Sequence, residues 1–282
     1  MMKLFIVFAS IIAIAFYFLR DQDSPKKDKA TEIANDKLKT MATLPGEVSE
    51  SSGIEIIPGQ ANFITHNDAG NQALLYEISA EGKLVNTHKL KLPNVDWEDI
   101  SRDDKGNLYI SDTGNNDNKR SDLAIYKVSF QNLQKPEAIR FTYDDQPDQT
   151  SKKDKLSFDS EATFWSNGNL YLITKDRNGE DEARIYRLTD QPGTQKAKKI
   201  GSIKIKDAIT GASISPDGST VALLSEEKIH VYRNVTAPEK FFEGEAEEID
   251  ITGAGQTEGI TFKDNNTLIL TSEGGNLYQY SL

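Results

Sequence analysis

Five short segments of this chain are versions of one another, and their spacing constrains the fold more than any other feature. They are Ser52-Gly53-Ile54, Glu98-Asp99-Ile100, Glu161-Ala162-Thr163, Thr210-Gly211-Ala212 and Glu258-Gly259-Ile260. The steps between them are 46, 63, 49 and 48 residues. A period of roughly 40–50 residues is the mark of a propeller-type array, in which each repeat is a small sheet that cannot bury its face alone.

The repeating unit is clearest around Glu98. A short strand over Asp99–Ser101 ends in the turn Asp103-Asp104-Lys105-Gly106-Asn107. Leu108-Tyr109-Ile110-Ser111 reads as a second strand, Leu123–Val128 as a third, and Ala138–Tyr143 as a fourth. Short apolar or alternating runs bounded by Gly, Asp, Asn and Pro are the all-β texture. The third strand repeats a tyrosine, as in Leu75-Tyr76, Ile125-Tyr126, Ile185-Tyr186, Val231-Tyr232 and Leu277-Tyr278, which reads as packing between units. The last copy stops after its third strand, while Leu38–Leu44 is a strand with no unit of its own. The expected fold is a five-bladed β-propeller over residues 37–282, closed by that N-terminal strand, because closure removes free sheet edges. The long step holds an insertion, Asp144–Ser157, expected as a surface loop.

The N-terminus differs in kind. Leu4–Leu19 carries no charge, follows Lys3 and stops at Arg20. Residues 1–20 read as an uncleaved signal anchor, a single hydrophobic transmembrane helix, with a cleaved signal peptide as the alternative. Residues 21–36 are charged and polar and read as a tether. The propeller is therefore expected outside the cytoplasm, attached to the cell membrane, or else secreted or periplasmic after cleavage.

Composition narrows the chemistry. The net charge of −11 argues against nucleic acid as a partner. With no cysteine and only His66, His88 and His230, neither a thiolate site nor a multi-histidine zinc centre is available. The repeat instead aligns Ser52, Glu98, Glu161, Thr210 and Glu258 at one position. In a propeller that position faces the axis, and three glutamates aimed at one axis repel unless a cation lies between them. Oxygen-only ligands select a hard cation, and the expected metal is Ca2+, with waters completing roughly six to eight oxygens.

The loops between second and third strands surround that ring. They contribute His66-Asn67-Asp68, then Asp112 with Arg120, then Lys175-Asp176-Arg177. His66, Asp68, Asp112, Lys175 and Arg177 are the candidate catalytic residues if the ring metal activates a phosphate or a water. Read as turn formers, the Asn, Asp and Gly of these loops need no further role. Trp97 reads as inter-blade packing.

Asp96-Trp97-Glu98-Asp99-Ile100, Thr210-Gly211-Ala212 and Gln256-Thr257-Glu258-Gly259-Ile260 followed by Thr271-Ser272-Glu273 resemble the SdiA-regulated family of bacterial membrane-anchored proteins. That resemblance implies a five-bladed propeller with an axial calcium ion and an N-terminal anchor. His66–Asn71 and Asp96–Asp99 depart from it and look more like secreted propellers of the esterase-like or phytase-like kind. The ring itself is similar to that of calcium-activated nucleotidases, whose nucleotide-binding residues have no counterpart here. Two readings follow. One is a membrane-tethered calcium-binding module that takes a small anionic ligand or a protein partner on its loop face. The other is a calcium-dependent phosphoester hydrolase.

Overall fold

The computed structural model describes residues 33, 35–147, 157–176 and 181–282. The proposed anchor, most of the tether, Arg177 and most of the 144–157 insertion lie outside the described residues. Among those described, no helix is long and apolar enough to cross a membrane.

The architecture is all-β and repeats a four-strand antiparallel unit. Strands β2 (Ser51–Ile56), β3 (Phe63–Asn67), β4 (Leu74–Ile78) and β5 (Leu84–Lys89) form one sheet in chain order. The next unit runs β6 (Trp97–Arg102), β7 (Asn107–Asp112), β8 (Ala124–Ser129) and β9 (Asn132–Tyr143). Then come β10 (Ser160–Ser166), β11 (Asn169–Thr174), β12 (Glu182–Thr189) and β13 (Gly193–Lys204). Strands β14 (Ile209–Ile214), β15 (Thr220–Ser225), β16 (Lys228–Arg233) and β17 (Glu247–Asp250) follow. The last unit has β18 (Thr257–Asp264), β19 (Thr267–Ser272) and β20 (Asn276–Ser281) from the C-terminus, and its fourth strand is β1 (Leu38–Thr43). β1 pairs antiparallel with β20, Leu38 opposite Tyr280.

The first strand of each unit touches the first strands of both neighbours, β2 with β6, β6 with β10, β10 with β14, β14 with β18 and β18 with β2. These strands are buried along nearly their whole length, whereas the fourth strands are largely exposed. That gradient from axis to rim is the β-propeller arrangement.

The apolar cores lie between successive units rather than within them. Ile64 and Leu75 of one unit pack with Ile100 and Ile110 of the next, and Leu224 and Val231 pack with Ile260 and Leu268. Each core holds one of the repeated third-strand tyrosines: Tyr76, Tyr126, Tyr186, Tyr232 or Tyr278. Trp97 is fully buried in one of them, as its apolar neighbours require.

Two details depart from the expected unit. β9 begins at Asn132, well before Ala138, and β13 matches it in length at 12 residues. These two rim strands pair in parallel, Gly193 opposite Ile139 through Ala197 opposite Tyr143, and so join two units into one eight-stranded sheet. Gly193–Ala197, the part of β13 that lies beyond its pairing with β12, finds its backbone partners in β9.

Candidate metal centre and its surroundings

The aligned residues share a backbone irregularity. In every inner strand the pairing register with the second strand breaks at the repeat position. The breaks fall between Ser51 and Gly53, Trp97 and Asp99, Ser160 and Ala162, Ile209 and Gly211, and Thr257 and Ile260. Ser52, Glu98, Glu161 and Thr210 are therefore the extra, unpaired residues of β-bulges, and Glu258 lies in a break one residue wider. A bulge re-aims the side chain it carries. What the repeat preserves is thus a local backbone shape as well as an oxygen atom.

The residue after each bulge sits where inner strands crowd. A Cβ on Gly211 would come within 2.4 Å of the Glu258 carbonyl, and one on Gly53 within 2.8 Å of the Ile100 nitrogen. In the second unit the equivalent residue is Asp99, fully buried. Its carboxylate accepts the N–H groups of Ile100 and Thr163, both at 2.8 Å. Asp99 thereby ties β6 to β10 at the axis.

The carboxylates of Glu98, Asp159 and Glu161 have oxygens within 4.8 Å of one another, and Glu98 stands in the same relation to Asp68 and Asp96. Glu98 is common to both groups. Its carboxyl is held well above the ordinary range, first by burial and then by the charges of Glu161, Asp68, Asp159 and Asp96. Glu258 is pushed up to about 8 by burial and by Glu161, with Lys175 partly opposing. Asp96 rises to about 6 through burial and the nearby Asp68 and Asp159. Glu273 is raised in the same way, by burial and then by Asp68.

The cations at this mouth are few. Lys175 Nζ meets Glu161 Oε2 directly. Arg120 is committed elsewhere: it bonds Asp112 Oδ1 at 2.8 Å, Asp122 Oδ1 at 3.1 Å and the Gly114 carbonyl at 2.8 Å. The two hydroxyls are anchored to backbone. Ser52 Oγ donates to the Glu98 carbonyl at 2.8 Å, and Thr210 Oγ1 to the Thr257 carbonyl at 2.8 Å. Each retains acceptor lone pairs.

The other candidates fare differently. Asp68 stands at the mouth beside Asp96 and Glu98. His66 does not. It is fully buried, edge-on to Trp97 with ring centroids 5.6 Å apart. Burial drives its pKa down to about 4, so the ring is neutral and out of reach of a ligand at the mouth. Asp112 is buried in its ion pair with Arg120 and also accepts the Asp96 N–H at 3.0 Å, which makes it a support for the Asp96 segment. Asp96 and Asp159 were not among the expected ligands. A signal for them exists: Asp96-Trp97-Glu98 and Asp159-Ser160-Glu161 repeat an Asp two residues before the ring glutamate.

No family model matches this chain, and no curated protein sequence does either. Solved structures do resemble it. One is the PQQ-bound form of an aldose sugar dehydrogenase from Streptomyces coelicolor, at 11% identity and TM-score 0.52 over 86% of this chain and 97% of that one. Another is a gluconolactonase from Xanthomonas campestris, at 12% identity and TM-score 0.52 over 87% and 89%. Both are β-propeller-like proteins, and at such identities the likeness is one of fold.

Proposed function

We propose that the chain is a five-bladed propeller built around an axial calcium ion, and that it acts outside the cytoplasm as a membrane-tethered module binding a ligand or partner over the metal mouth. The observation that carries this reading is the set of bulges at Ser52, Glu98, Glu161, Thr210 and Glu258, which puts irregular backbone and oxygen side chains at one end of all the inner strands. Glu98, Glu161 and Asp159 would be the principal carboxylate ligands, with Asp96 and Asp68 next. Hard oxygen donors in excess over local cations fit calcium, which takes six to eight oxygens at about 2.3–2.6 Å. The ion would neutralise the mutual repulsion of these buried groups and bind the units to one another. The uncharged run Leu4–Leu19 supports placement outside the cytoplasm, where calcium is plentiful.

Calcium-dependent phosphoester hydrolysis has less support. His66 is sealed and Asp112 is spent on Arg120, so Asp68 and Lys175 are what remain of its candidate machinery among the described residues.

Thermal melting of the full chain in millimolar calcium and in excess chelator tests the proposal. An ion at about 100 times its Kd contributes about 2.7 kcal/mol, or roughly 5–10 °C for a domain of this size. Glu98→Gln is expected to abolish most of that rise and to melt higher than wild type in chelator, because it removes a repelling buried charge. Identical melting with and without calcium would sink the metal and the reading built on it.

A further inference from the structure

The inner strands have a second end, and it forms a separate cavity. Three to four residues beyond the bulges, roughly 10–13 Å at about 3.3 Å per residue, the strands open into a cleft of about 320 Å³. Residues of β2, β6, β10, β14 and β18 all contribute to it. Asp99 lies between this cleft and the acidic mouth.

Two charged groups organise the cleft. Glu55 is 7% exposed. Its Oε1 accepts the Ile56 N–H at 2.7 Å, Thr261 Oγ1 at 2.8 Å and Arg102 Nε at 3.1 Å. Glu55 Oε2 and the two Nη groups of Arg102 make no hydrogen bond among the described residues. Arg102 is therefore fixed through Nε by an anchored carboxylate, while the rest of its planar fork is open. Beside it, Ser101 Oγ is buried with no hydrogen-bond partner among the described residues. A buried hydroxyl left unmatched costs about 1–3 kcal/mol, so native proteins rarely keep one without a use. Trp165 forms part of the wall and is half-buried, with its indole N–H held by Asp190 Oδ2 at 3.0 Å.

We propose that this cleft binds a small neutral polyol presenting vicinal hydroxyls, of monosaccharide size. The charge pattern selects that class. Arg102 is neutralised by Glu55, and the other charged lining residues, Asp103, Asp104 and Asp217, are all acidic, so an anion meets net repulsion. A diol matches what is open: its oxygens accept from the guanidinium fork, its hydroxyls donate to Glu55 Oε2, and Ser101 Oγ has a partner at last. Trp165 offers an apolar face to the C–H side of such a ligand. The volume sits at the lower end of the range for small-molecule pockets, about 300–1,000 Å³. This inference is independent of the calcium ion.

Acrylamide quenching of tryptophan emission from the full chain tests it. Trp97 is fully buried, so quenching reports Trp165. Myo-inositol and glucose are the probes, with citrate as the anionic comparison. A polyol is expected to protect Trp165 saturably, equally in calcium and in chelator, and citrate is not. Arg102→Lys keeps the charge beside Glu55 but loses the fork, and is expected to weaken binding about tenfold or more, the loss of a charge-assisted hydrogen bond. Ser101→Ala removes an unpaired hydroxyl, so it is expected to weaken binding without lowering the Tm. The proposal is overturned by no saturable protection from either polyol, by tighter binding of citrate, or by unchanged binding in both variants.

Discussion

The two mouths of the channel bury carboxylates to a similar depth and treat them in opposite ways. At one end the charge of Glu55 is balanced by Arg102, 3.1 Å away. At the other, Glu98, Glu161, Asp159, Asp96 and Glu258 gather with Lys175, which pairs with Glu161, as a nearby cation among the described residues. Burial raises both Glu55 and Glu98, yet the second-largest influence is Arg102 pulling Glu55 down and Glu161 pushing Glu98 further up. Burying acid is therefore not in itself a sign of a metal. The sign is buried acid whose neighbours make it worse.

The largest effect is expected where the two mouths are kept apart. Asp99→Ala strands two backbone N–H groups, at about 1–3 kcal/mol each. A loss of at least about 2 kcal/mol, or roughly 4–8 °C in Tm, is expected, with Asn at this position milder because it keeps one acceptor. A neutral Asp99→Ala would mean that the inner strands do not depend on this tie.

Charge removal should then have opposite signs at the two ends. Arg102→Met leaves Glu55 buried without its partner and is expected to lower stability by about 1–3 kcal/mol, discounted for the partial exposure of the arginine. Glu98→Gln in chelator is expected to raise it. Melting curves of the two variants side by side break the comparison if both shifts have the same sign.

The pH profile sharpens it. Glu258 and Asp96 have folded-state values of about 8 and about 6, both above their ordinary ones. A carboxyl raised on folding binds more protons folded than unfolded, so its contribution is complete below the unfolded value and is lost as pH rises through the folded one. In chelator the Tm is expected to climb as pH falls from about 8 to about 5. In calcium the trend should flatten or reverse, because the ion competes with protons for the same oxygens. Equal slopes in both buffers would separate the titrating groups from the metal.

The smallest effect concerns Lys175. With its ammonium on Glu161, the side chain supplies part of the charge that an ion would supply. Lys175→Met is expected to lower the Tm in chelator by a few degrees and widen the calcium-dependent rise. A narrower rise would assign the lysine to ligand binding instead.

Much of this arrangement is legible in the chain because the repeat writes it more than once. The bulge positions announce themselves as one residue class at one phase in every unit, and the third-strand tyrosines as one side chain per interface. Legibility fails where an outcome depends on partners the repeat does not specify. His66 stands next to a polar loop in sequence, but it is on β3, and its ring turns inward onto Trp97. Asp112 and Arg120 look like open groups across a mouth, and they form an ion pair with each other. The β9–β13 pairing joins strands some 50 residues apart through backbone groups alone, so side-chain periodicity carries no trace of it. Asp159 lies two residues before Glu161, yet reading one ligand per unit passes over a second.

The seam between β1 and β20 sets the order in which the molecule is made. Leu38 leaves the ribosome early, and its partner Tyr280 is 242 residues behind it. At about 5–20 residues per second, the first strand waits roughly 12–50 s for a neighbour. During that time β1 is an unpaired edge, and the earlier units stack into an open arc whose two ends are both adhesive. Strand β20 is the one that removes both liabilities at once. A chain truncated within β20 would therefore lose its clasp along with its final strand, and the nearest replacement would be the β1 of another copy.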